Sequence, residues 1–197
     1  MEQISLFEEE FMLLNEASAA LMALRPGTVL ELLERYRALY PGGQNVETKV
    51  RIASFLQQGF AATPPGAPDR PSYLFGLWGS FERYCRSLAP GGATADDFLR
   101  PFFRKIADAI EQGMLTDGDF LAEGIPVGYA HLQIGDYDRA IHSLQTALTI
   151  TPANAATYGY LGDAYLMRGD REAARQIYFE ACLIGDRAET VFAFVRP

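Results

Sequence analysis

Apolar positions in the first hundred residues recur at helical spacing, and Pro-Gly pairs punctuate them. Phe7, Phe11, Leu14 and Leu21 share one helical face until Arg25-Pro26-Gly27 interrupts the pattern. Ser5-Leu6-Phe7-Glu8 reads as a capping box opening this helix, and Thr28-Val29-Leu30-Glu31 as a second one opening the next. That next helix carries Val29, Leu33, Tyr36 and Tyr40 on one side and stops at Pro41-Gly42-Gly43. Asn45 is placed to cap a third helix with Val46, Val50, Ala53, Leu56 and Phe60. Residues 63–71 hold four prolines and form a loop. A fourth helix spans about 72–88, closed by Pro90-Gly91-Gly92, and a fifth runs from Thr94 with Asp97 to about Gln112, with Pro101 as a kink. No segment alternates with the period of two that a strand requires. The pattern predicts an all-α chain built from antiparallel helix pairs.

The C-terminal part repeats itself. Gly135-Asp136-Tyr137-Asp138-Arg139-Ala140 returns 34 residues later as Gly169-Asp170-Arg171-Glu172-Ala173-Ala174. The same offset pairs Gly128 with Gly162, Ala130 with Ala164, Leu132 with Leu166, and Ala147 with Ala181. Small residues at these positions let two helices approach closely. Each glycine ends the first helix of a unit, and Asp136 or Asp170 caps the second.

On these residues the stretch 121–187 resembles the tetratricopeptide repeat family. The second unit carries the pattern in Tyr158, Leu161, Gly162, Tyr165, Ala174, Tyr178 and Ala181. The first carries Gly128, Ala140, Leu144, Ala147 and Pro152, but has Gly124 where a bulky aromatic is usual, His131 where Tyr is usual, and Pro126 inside its first helix. The resemblance implies a short right-handed solenoid of helix pairs with an N-terminal helical region packed on it. Residues 1–115 form that region, including a degenerate repeat at 5–41 (Leu13, Ala17, Ala20, Val29, Leu33, Pro41), and 116–187 hold two repeats. Two repeats leave their end faces open, so residues 188–197, with Val191, Phe192, Phe194 and Val195, are read as a C-terminal cap.

The resemblance also implies a peptide-binding concave surface lined by the first helix of each unit. Carried over residue by residue, it consists of Ile125, Tyr129, Leu132 and Gln133, then Asn154, Gly159, Asp163 and Met167. The carboxylate-clamping form of the family needs Lys, Arg and Asn there, and Asp163 would repel a carboxylate. The surface suits an apolar or mildly basic peptide or helix. Tyr129 is its expected anchor, exposed in the free protein.

Charge and candidate chemistry narrow the picture further. Seventeen Lys and Arg against 25 Asp and Glu give a net charge of −8, which argues against a general nucleic-acid partner. The start of the chain is acidic where a secretory signal would be basic. The longest charge-free stretch, 140–162, contains His142, Gln145, Pro152 and Asn154, unlike a membrane span. Cys85 and Cys182 are too few and too distant for a disulfide framework. His131 and His142 lack metal-ligand spacing, and capping accounts for the aspartates between them. No phosphate loop or nucleophile motif is present, so no catalytic residue, metal or cofactor is assigned. Tyr73, Phe75, Trp78, Phe81 and Tyr84, like Phe98, Phe102 and Phe103, read as core rather than as a docking patch. The sequence therefore predicts a bacterial-type cytoplasmic adaptor, scaffold or chaperone-like protein that binds another protein. The alternatives are an enzyme with its site in the N-terminal helices, or a self-assembling structural protein, for which a homo-oligomer is expected.

Overall fold

The computed structural model describes residues 2–88 and 94–185. The expected C-terminal cap (Val191, Phe192, Phe194, Val195) and the Pro90-Gly91-Gly92 stop lie outside these residues. Among the described residues the fold is all-α apart from one small hairpin. The helices are α1 (Glu2–Met22), α2 (Pro26–Leu39), α3 (Glu47–Ala61), α4 (Arg70–Ser87), α5 (Ala95–Ala109), α6 (Gly128–Ile134), α7 (Tyr137–Ile150), α8 (Ala155–Arg168) and α9 (Arg171–Gly185). A π-helical turn, Ile110–Met114, follows α5, and strands β1 (Phe120–Ala122) and β2 (Ile125–Pro126) precede α6. The chain gathers into two compact units, Met1–Pro64 with Leu77–Phe102, and Pro65–Gly76 with Phe103–Pro197.

In the first unit α1 packs on α2 and α2 on α3. The apolar faces read from the sequence are buried there: Leu14, Ala17, Ala20, Val29, Leu33, Tyr36, Ala53 and Leu56. Leu24 turns the chain between α1 and α2 at φ 52°, a conformation unfavourable for a side-chain-bearing residue, and is itself buried. Tyr36 ties three segments together: its hydroxyl donates to Glu10 at 2.9 Å and accepts from the Gln44 amide at 2.7 Å. An aromatic core completes the unit. Phe81 meets Phe98 edge-on at 5.2 Å, and Trp78 lies 5.3 Å from Phe102. Phe81, Phe98 and Phe102 are fully buried, as expected of core. Cys85 is buried as well, and burial pushes its thiol up to about 11, leaving it unreactive.

In the second unit α6, α7, α8 and α9 pack in series, each on the next. Ala130, Ala140, Ala147, Ala164, Ala174 and Ala181 are all buried at the contacts the 34-residue offset predicts.

Several local expectations are corrected. The first helix starts at Glu2, so Ser5 lies inside it and does not cap it. Glu2, Gln3 and Ile4 contain no breaker, and the helix simply runs back through them. The second starts at Pro26, whose fixed φ suits a first helical position, and makes no side-chain cap bond, so the Thr28 box does not open it. The fifth ends at Ala109 rather than Gln112, because Gly113 (φ 105°) turns the following π-helical stretch out of helical conformation. The largest correction is the hairpin, where no strand was expected and where the first repeat helix was to begin. Gly124 (φ 73°) and Pro126 cannot continue a helix, so 120–126 fold back on themselves and α6 keeps only its second half.

Candidate interaction site

The turn geometry of the two helix pairs sets the positions of the candidate residues. Gly135 (φ 81°) and Gly169 (φ 98°) end α6 and α8 in the left-handed region. Asp136 then accepts from the Arg139 amide, and Asp170 from the Ala173 amide at 3.1 Å, so both aspartates cap as the repeat predicts. Close approach is enforced by the paired glycines. A Cβ on Gly128 would stand 2.7 Å from Leu144, and one on Gly162 would stand 2.5 Å from Tyr178. Leu144 and Tyr178 are themselves 34 residues apart, so the same small-against-large contact is built twice.

The surface residues expected from the resemblance divide into two groups. Tyr129 and Gln133 stand one helical turn apart on α6, both half-buried. Asp163 and Met167 stand one turn apart on α8, where Met167 is 53% exposed. Tyr129 is not the exposed anchor expected. Its ring meets Tyr160 at 4.8 Å, Phe103 at 5.6 Å and Phe75 at 6.2 Å, so α6 crosses to α8 through stacked aromatic rings. Asp163 accepts a short hydrogen bond from the Tyr178 hydroxyl. That bond and burial hold the phenol protonated, well above the usual tyrosine range.

The other expected residues have structural positions. Leu132 is 6% exposed and belongs to the core with Ala140, Ile141, Leu144, Leu161 and Ala164. Asn154 caps α8 through the Thr157 amide at 3.2 Å and reaches the Gly124 carbonyl at 3.5 Å. Ile125 lies on β2, half-buried, rather than on a helix. The sequence reading missed Tyr160, three residues before Asp163 and seven before Met167, although that spacing puts all three on one face of α8. It also placed Phe75 wholly in the core, whereas the ring is half-buried against Tyr129.

The histidines are held differently from one another. His131 is 4% exposed and its Nδ1 has no hydrogen-bond partner, at a cost of about 1–3 kcal/mol. Burial lowers its pKa against the opposing pull of Asp136, Asp117 and Glu111, so the ring is neutral. His142 is exposed, 3.4 Å from Asp117. Among the described residues, no three His, Cys, Asp or Glu side chains are placed to hold a metal ion.

Spacing, caps and paired close contacts all belong to one repeat type. Residues 131–181 match the family model of the tetratricopeptide repeat. No match falls on the N-terminal half. Repeats of this family are in general protein-interaction modules, and the family is typically non-enzymatic. The chain matches no curated protein and no solved structure. No described helix is long and apolar enough to cross a membrane.

Proposed function

We propose that the tetratricopeptide-like helices make this chain an adaptor, scaffold or chaperone-like protein, which holds a peptide or helix of another protein on the face shared by α6 and α8. One observation carries this reading: Tyr129, Tyr160 and Phe75 form a half-buried aromatic floor, and Asp163 and Met167 continue the same face of α8. Large rigid rings that keep part of their surface open are the groups that dominate binding energy at protein interfaces. Asp163 is the acidic member, so the surface suits an apolar or mildly basic segment, and its acidic neighbourhood disfavours nucleic acid. The site residues of this reading are Tyr129, Gln133, Tyr160, Asp163 and Met167. Leu132 and Asn154 support them from below, and Ile125 borders them on the hairpin.

The cleanest test uses Met167, which is exposed and outside the core. Met167→Arg should leave the melting temperature within about 1 °C, since surface changes of this kind stay near ±0.5 kcal/mol. In quantitative affinity capture from the source cell, it should deplete the partners held by the wild-type chain. Identical capture by the two proteins would remove the surface from consideration. A second reading, self-assembly, is favoured by Phe179 and Leu183, which lie one turn apart on α9, 64% and 52% exposed. Concentration-dependent mass by light scattering, abolished by Phe179→Glu, would support it.

A further inference from the structure

His131 lies two residues from both Tyr129 and Gln133, so its ring leaves α6 about 200° around the helix axis from theirs. There it lines an open cleft of about 910 Å³ floored by Ile110 and Leu115. The loop that shapes this cleft is locked by polar contacts. Asp119 accepts from the Thr116 amide at 2.6 Å and from its hydroxyl at 2.9 Å, and Ser143 donates to the Asp117 carbonyl at 3.0 Å. Three carboxylates line the cleft (Glu111, Asp117 and Asp138) against one guanidinium, Arg139. Glu111 is bonded to Arg139, and Asp138 to Arg168 at 3.3 Å. Asp117 faces the imidazole of His142, which carries charge only when protonated.

We propose that this cleft binds a compact organic cation, an alkylammonium or alkylguanidinium group, held by the Asp117 carboxylate and a ring nitrogen of His131, with its stem along Ile110 and Leu115. The excess of carboxylates selects positive charge. The second requirement comes from His131, which is nine-tenths buried yet has an unpartnered Nδ1. A neutral imidazole always keeps one bare nitrogen, and that nitrogen needs an N–H donor. An organic cation supplies charge and N–H groups together, whereas the described side chains offer no three-ligand set for a metal ion. The site lies on the opposite side of α6 from the proposed partner surface and does not depend on it.

Agmatine and putrescine are the free-cation probes, and acetyl-Gly-Arg-Gly-amide presents the same guanidinium as a side chain. Ring-proton signals of His131 in the full chain, followed by NMR at about pH 7.5, where the ring is neutral, should shift saturably. Asp117→Asn should weaken binding about tenfold or more, and added salt should weaken it too. Tighter binding of the peptide assigns the site to a partner's basic side chain, and tighter binding of the small amines to a free cation. The neutral probe N-butylurea tests the wild-type chain without any variant and should not bind. Equal binding of N-butylurea and agmatine, unchanged affinity in Asp117→Asn, or no saturable shift up to about 10 mM probe overturns the proposal.

Discussion

The helix pair α6–α7 and the helix pair α8–α9 share their turn, their caps and their closest contact, and differ in the length of their first helix. α8 has 14 residues and α6 has seven. The missing half of α6 is replaced by the β1–β2 hairpin, which still delivers Leu121 and Val127 to buried positions. The repeat is thus constrained where two helices touch, at Gly128 and Gly162 and at the buried alanines. It is permissive further back, where only apolar surface has to be supplied. A hairpin can supply that surface, and Asn154 secures it by reaching from the α8 cap to the Gly124 carbonyl.

The glycine pair gives the sharpest way to break this equivalence. A Cβ on Gly128 meets backbone, the Ala140 carbonyl and the Leu144 amide, both at 3.0 Å, as well as the Leu144 side chain. Backbone cannot swing aside. A Cβ on Gly162 meets only the Tyr178 ring, which can rotate if it gives up its bond to Asp163. Gly128→Ala should therefore cost about 3 kcal/mol and Gly162→Ala about 1–2 kcal/mol, read as shifts of the urea midpoint. Equal costs would show that the two contacts are interchangeable. Ala140→Leu and Ala174→Leu should each cost about 1–3 kcal/mol by overpacking, since both alanines are buried.

Tyr129 marks the point at which the two pairs differ in function as well as in shape. Buried against three rings, it cannot be trimmed without consequence. Tyr129→Ala should lower stability by about 2 kcal/mol and weaken partner capture together, whereas Met167→Arg should affect capture alone. A stability loss with unchanged capture would leave the aromatic floor as packing only.

Periodicity and turn chemistry made the repeated half legible before any coordinates. The 34-residue offset located both turns, both aspartate caps and all six buried alanines, because each is a local requirement of one helix pair. The hairpin was not legible, because strands of three and two residues are too short to show an alternating pattern. Pro126 and Gly124 did signal an interrupted helix, though not what would take its place. Within the candidate surface, helix-face assignment survived for Gln133, Asp163 and Met167. It failed for Leu132, whose burial depends on α7 and α8, and for Tyr129, whose neighbours Phe75 and Phe103 come from distant sequence. Contacts of that kind leave no spacing signal.

A finer comparison concerns the caps. Asp136→Ala and Asp170→Ala should each cost about 1 kcal/mol if the two turns are energetically equivalent. The Asp136 bond to the Arg139 amide is long, at 3.4 Å, against 3.1 Å for Asp170 to Ala173. Asp136→Ala should therefore be the milder of the two by chemical denaturation, and the reverse order would mean that its 3.6 Å ion pair with Arg139 contributes as well.

The smallest expected effect separates His131 from its counterpart in the other pair, Tyr165. Burial sets the folded-state pKa of His131 below the ordinary value, so the folded chain resists taking up the proton that the unfolded chain accepts. The stability contributed by the neutral ring is then complete above about pH 6.5 and is lost as the pH falls through the folded pKa. One proton limits the slope to about 1.4 kcal/mol per pH unit, and the carboxylates of Asp136, Asp117 and Glu111 oppose the burial term, so the observed slope should be a fraction of that. His131→Phe keeps a ring of similar size and removes both the titration and the unpartnered Nδ1. Its urea midpoint should lie above that of the wild type at every pH from about 8 to 5, and the gap should widen on the acid side. A gap independent of pH would mean that the imidazole titrates alike in the folded and unfolded chains, and that the cleft around it is open enough to hydrate the charged ring.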